Sequence, residues 1–168
     1  MYHRTTGNRT GAYSYLICGR RPFARAELKG SYEYPAINGT VDFFATPAGI
    51  VVSSEVFNLP YDEEKPCSSQ IYGFHIHKVG KCTGGDEPFS DAGEHFDKDD
   101  CQHPYHSGDL PPLFGNHGYA WSAVLSDRFS PEDVVGRSVI VHLHADDMHT
   151  APSGNSGRRI ACGIIMGV

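Results

Sequence analysis

Seven stretches of this chain are rich in β-branched and aromatic residues and are set apart by turn residues: 23–28, 39–45, 49–57, 71–78, 118–126, 138–144 and 159–166. They read as strands rather than long helices. Thr46-Pro47-Ala48-Gly49 has the chemistry of a hairpin turn between the second and third. Ser130-Pro131-Glu132-Asp133, a capping residue followed by proline and two acids, predicts one short helical turn before Val134. The pattern therefore predicts an all-β domain, a sandwich or flattened barrel of about eight antiparallel strands.

Composition narrows this picture. The 168 residues suit one domain, and a chain of that size buries about 70% of the surface its unfolded form exposes. The 19 glycines and 11 prolines fit many turns and short strands. Residues 1–21 are polar and irregular and read as an N-terminal arm, leaving 22–168 as the domain. A net charge of −6, with no cluster of Lys or Arg, argues against nucleic acid or an anionic membrane surface as partner, so a small substrate is expected. No stretch approaches the roughly 18 apolar residues of a membrane span. Near the start only the short run from Tyr13 to Cys18 is apolar, so no signal peptide is visible. The expected compartment is cytoplasmic, the alternative being an exported protein whose signal has been removed. The five cysteines, Cys18, Cys67, Cys82, Cys101 and Cys162, are an odd number, so at least one is free or pairs between chains.

Two connections, 79–117 and 146–158, are long and show no strand pattern. Long structureless loops in a compact domain are usually functional or disordered. The first carries His95, His103, His106 and His117, and metal coordination would supply order that a hydrogen-bonded ladder does not. The titratable residues fall in the order His75-x-His77, His95, His103-x-x-His106-x-x-Asp109 and His142. On a strand, positions i and i+2 share a face, so His75 and His77 present two nitrogens together while Phe74 and Ile76 face the other way. Taken singly, each histidine is most simply a solvated residue; as an ordered set they read as a two-metal site. Spacing leaves His142 and His144 as alternatives, because both lie on one strand and face the same way.

These residues resemble the copper/zinc superoxide dismutase family over residues 23–168. The matching segments are Gly73-Phe74-His75-Ile76-His77, Gly93-Glu94-His95-Phe96, His106-Ser107-Gly108-Asp109-Leu110, Val135-Gly136-Arg137-Ser138-Val139-Ile140-Val141-His142, Ala145-Asp146-Asp147 and Gly154-Asn155-Ser156-Gly157-Arg158-Arg159-Ile160-Ala161-Cys162-Gly163. The resemblance implies a Greek-key barrel with two long functional loops. It also implies copper on His75, His77, His95 and His142, and zinc on His95, His103, His106 and Asp109, with His95 bridging the two ions. Ligand chemistry agrees, since four nitrogens suit tetragonal copper, and three imidazoles with a carboxylate suit tetrahedral zinc. By the same resemblance Asp146, rather than Asp147, accepts hydrogen bonds from a histidine of each site. Cys82 and Cys162 form a disulfide, and Arg159, rather than Arg158, docks the anionic substrate. His144 becomes a residue at the rim, Tyr105 a packing residue, and His3, His117 and His149 surface residues.

The implied activity is that of an enzyme converting superoxide to dioxygen and hydrogen peroxide, with His95 as one proton source and zinc orienting that ring. A homodimer is among the assemblies the family uses. The rival reading is a non-catalytic metal-binding or copper-delivery domain; such relatives commonly lose copper ligands or the docking arginine, and this sequence keeps both. Its zinc loop is shorter than in the common eukaryotic forms. Its 146–158 loop is short and lacks lysine, which leaves Lys78 and Lys81 to replace part of a steering field.

Overall fold

The computed structural model describes residue 17, residues 19–65, residue 68 and residues 70–168. Most of the expected arm, with His3 and Cys18, lies outside the described residues, as does Cys67. Eight strands follow one another: β1 (Ala24–Gly30), β2 (Asn38–Thr46), β3 (Gly49–Phe57), β4 (Ile71–His77), β5 (Asp109–Phe114), β6 (Ala120–Ser126), β7 (Ser138–His142) and β8 (Arg159–Gly167). They form one sheet in the order β5-β4-β7-β8-β1-β2-β3-β6, and every pair is antiparallel. The end strands β5 and β6 lie against each other, so the sheet nearly closes into a barrel. Crossovers from β3 to β6 and from β4 to β7 give it Greek-key connectivity.

All seven strands expected from the sequence are present, with ends moved by no more than two residues. The eighth, β5, corrects the expectation that 79–117 lacks regular structure. Its Pro111 and Pro112 hide it, because proline cannot donate to a ladder. A strand hydrogen-bonded only to β4 tolerates both. The short helix α1 (Pro131–Val134) begins where the cap predicts, and the Asp133 carboxylate accepts the Ser130 backbone N–H at 2.8 Å.

Alternation explains which faces meet. In β1, Ala24, Ala26 and Leu28 are buried while Arg25, Glu27 and Lys29 are exposed. Inside the barrel Val41, Phe43, Phe74, Ile76, Val139, Val141, Ile160 and Ile165 pack into one core, each such side chain contributing about 1.5–3 kcal/mol relative to exposure. Strands β4 and β7 depart from alternation. Every residue of β7 and all but the first of β4 are buried, because the 78–108 and 143–158 segments cover their outer face. That covered face carries His75, His77 and His142.

Candidate metal centre

Three local features bring the ligand candidates together. Beyond a single 3-10 turn at Ser90–Ala92, the chain runs back along the end of β4. Lys78 donates its N–H to the Glu94 carbonyl at 2.9 Å, and Phe96 donates to the Ile76 carbonyl at 2.8 Å. This places the His95 ring 3.9 Å from the His75 ring, centroid to centroid. Strand β5 opens with Asp109 directly across from His75. A bulge between Val141 and His142 then re-aims the last residue of β7, and its Nε2 stands 3.3 Å from His77 Nε2.

Two four-residue sets result, each with its donor atoms within 4.8 Å of one another: His75, His77, His95 and His142 in one, His95, His103, His106 and Asp109 in the other. His95 belongs to both. Its Nδ1 lies 2.7 Å from Asp109 Oδ1, while Nδ1 of His103 and of His106 each lie 3.1 Å from Oδ2 of the same carboxylate. His75 Nδ1, His95 Nε2, His103 Nδ1 and His106 Nδ1 are buried without hydrogen-bond partners. Unpartnered buried nitrogens are costly. Converging as they do, they fit a cation at the centre of each set.

The outward nitrogens are satisfied, which sets the tautomers. His75 Nε2 and His103 Nε2 donate to the two oxygens of Asp146 at 2.7 and 2.9 Å. The Gly93 carbonyl accepts from His77 Nδ1 at 2.9 Å and the Gly157 carbonyl from His142 Nδ1 at 3.2 Å. Asp147 instead accepts the backbone N–H groups of His149 and Thr150, tying down its own loop. Electrostatics keep the rings available as ligands. Burial pushes His75 down to about 4, and burial carries His77 and His142 well below the ordinary histidine value. For Asp146 burial pulls upward, but the hydrogen bonds from His75, the Met148 N–H and His103 prevail and hold it at about 2.

An open cavity of about 260 Å³ leads to the first set, lined by His77, His95, His142 and Arg159 and flanked by Glu87 and Glu94. Arg159 donates to the Phe89 carbonyl at 2.6 Å and to the Gly93 carbonyl at 2.7 Å. Arg158 pairs with Glu33 at 2.7 Å and does not line that cavity. Neither Lys78 nor Lys81 lines it; Lys78 borders a separate cavity of about 370 Å³ beside His106 and Cys101. Cys82 and Cys162 are disulfide-bonded across 5.6 Å between Cα atoms, and the bridge packs with Phe89 and Ala92 against Ile140. Cys101 is free and exposed.

His117, His144 and His149 are exposed. Tyr105 corrects the expectation of packing: its neighbours turn their rings inward, and it is left 68% exposed. Sequence reasoning misses the acceptor carbonyls of Phe89, Gly93 and Gly157, since backbone groups leave no side-chain signature. It also misses Gly154, where a Cβ would lie 1.9 Å from Asp146 Oδ1.

The family model for copper/zinc superoxide dismutase (SODC) matches residues 37–165. The chain belongs to the copper/zinc superoxide dismutase family. The superoxide dismutase [Cu-Zn] of Deinococcus radiodurans is 33% identical over 88% of this chain and 86% of its own. That of Legionella pneumophila is 34% identical over 78% and 79%. Among solved structures, the Cu/Zn superoxide dismutase from Brucella abortus superposes with a TM-score of 0.71 at 26% identity, covering 84% of this chain and 98% of its own. Family membership makes this barrel an oxidoreductase of the dismutase class with copper and zinc as cofactors, for which the two donor sets supply the ligand types.

Proposed function

We propose that the protein converts two superoxide anions and two protons into dioxygen and hydrogen peroxide, with copper held by His75, His77, His95 and His142 and zinc by His95, His103, His106 and Asp109. The observation that carries this reading is the sharing of His95 between two sets, one of which opens into the cavity lined by Arg159. Copper supplies the alternating one-electron reduction and reoxidation, and zinc, which has no redox chemistry, holds the second set in place.

Protein groups do the rest. The Arg159 guanidinium, tied to two carbonyls and always charged, offers a small anion a fixed positive fork beside His77 and His142. Burial of His75, His77 and His142 to 3% exposure or less keeps bulk water from the ligand nitrogens. His95 Nε2 has no protein partner, so when it is not a ligand it is the nitrogen that takes a proton and passes it to the departing peroxide. Nδ1 on the opposite edge of that ring converges with Asp109 in the second set, where zinc would keep it fixed while Nε2 gains and loses its proton. Asp146 bonds to one histidine of each set, so that neither ring turns without disturbing the other.

Metal analysis and a dismutase assay on the same sample test the proposal. One copper and one zinc per chain with rapid turnover is the expected result. A sample holding both metals without turnover would reduce the protein to a metal-holding domain.

A further inference from the structure

Outside both ligand sets, one side chain gathers the backbone of the zinc loop. Arg128 stands in the connection from β6 to α1. One of its guanidinium nitrogens lies 3.3 Å from the Pro104 carbonyl oxygen, 3.3 Å from that of His106 and 3.4 Å from that of Asp109. Two of these carbonyls belong to proposed zinc ligands, and the third follows His103. Oxygens converging on one point repel one another unless a donor or cation sits among them. A nitrogen with two hydrogens cannot make three straight bonds, and the distances, long for N–H···O, fit a shared electrostatic grip. Helix α1 holds the loop a second time, since Lys98 donates to its Asp133 at 2.8 Å, and within the loop the Lys98 backbone N–H donates to Ser107 Oγ at 3.1 Å.

We propose that Arg128 is a positioning residue for zinc: by drawing the carbonyls of Pro104, His106 and Asp109 outward onto one cation, it holds residues 103–109 in the curl that turns the His103, His106 and Asp109 side chains inward. The ion's retention then depends on a group that never touches it. The inference rests on the zinc reading above and extends it to a residue outside the ligand set. Because Arg128 is exposed in the connection beyond β6 and takes no part in the barrel core, its removal leaves that core intact.

The test compares the parent with Arg128→Ala and Arg128→Lys, reading zinc release to a chelator and the visible spectrum of the cobalt-substituted zinc site. Groups outside the ligands typically contribute ten- to a hundredfold to metal affinity. Arg128→Ala is expected to release zinc about ten- to a hundredfold faster and to shift the cobalt bands, with the metal-free melting temperature nearly unchanged. Arg128→Lys, whose ammonium still offers donors to converging carbonyls, recovers part of the retention. Unchanged release and an unchanged cobalt spectrum in Arg128→Ala overturn the proposal. So does equal destabilisation of metal-free and zinc-loaded protein with the spectrum intact. Failure of the underlying reading has a different appearance, because the parent protein itself would then take up no zinc, or Asp109→Ala would bind it as the parent does.

Discussion

Gly154 lies so close to Asp146 that a methyl group on its Cα would sit 1.9 Å from Oδ1 and 2.7 Å from His103 Nε2. Its φ of +62° adds a backbone requirement that only glycine meets without cost. Gly154→Ala must therefore adopt a conformation costing about 1–2 kcal/mol and displace the carboxylate that joins the two ligand sets. Both metals should bind about ten- to a hundredfold more weakly, read by chelator competition, and the melting temperature should fall. Retention of parent-like affinity would show that the loop moves aside and that Asp146 need not stay where it is.

Arg159 and Arg158 are adjacent in sequence and serve different surfaces. The first lines the cavity over the His77 and His142 rings, and the second pairs with Glu33. Among the described lining residues the only other formal charges are Glu87 and Glu94, so an anion approaching this chain of net charge −6 meets one productive cation. Arg159→Glu should lower the rate constant by about tenfold or more with both metals bound, and added salt should slow the parent. Arg158→Glu should do less. Equal effects from the two substitutions would place anion docking elsewhere.

How much of this was legible in advance depends on which chemical groups carry the information. The proposed ligands are side chains of unusual type: His75 and His77 stand at i and i+2 in a run of strand-forming residues, and His95 falls in the histidine-rich connection after it, so all three stand out from the sequence pattern. The barrel is legible for the same reason. Strand β5 is not, because Pro111 and Pro112 erase the strand signal while its edge position tolerates them. Nor are the carbonyls of Gly93 and Gly157, which orient His77 and His142 but are present on every residue and become specific only through the loop path. Arg128 belongs to this second class, since its partners are carbonyl oxygens.

The Cys82–Cys162 bridge closes a span of 80 residues, for which chain entropy alone gives about 4–5 kcal/mol, an upper figure because residual structure in the unfolded chain reduces it. The segment it fastens also carries Phe89 and Gly93, the acceptors that hold Arg159. Cys82→Ala is thus expected to lower stability by up to about 4 kcal/mol and, in protein that remains folded, to slow turnover through a less fixed Arg159. Denaturant melts and steady-state assays read the two effects separately. Loss of stability with full turnover would mean that the guanidinium stays in place without its anchored loop.

Acid should unfold the metal-free protein over a window set by the ligand histidines. Burial outweighs the hydrogen bond to Asp146 and pushes His75 down from 6.5 to about 4, and it moves His77 and His142 in the same direction. Between these values the unfolded chain binds protons that the folded chain refuses, so stability rises with pH across the window and levels off above about 6.5. A shift of that size in His75 alone corresponds to about 3 kcal/mol, and the other two add to it. Asp146, held at about 2, acts in the same direction at lower pH: between the ordinary carboxylate range and that value the unfolded chain again binds the proton more readily, so further stability is lost there as pH falls. Denaturant midpoints of metal-free protein should therefore fall steeply from pH 6.5 to about 4 while remaining level from pH 7 to 8. A bound metal, which takes only the neutral ring, should move the fall to lower pH. A level profile down to pH 4 would mean that the folded site opens enough to take up protons, and that the covered face of β4 and β7 is less closed than its burial indicates.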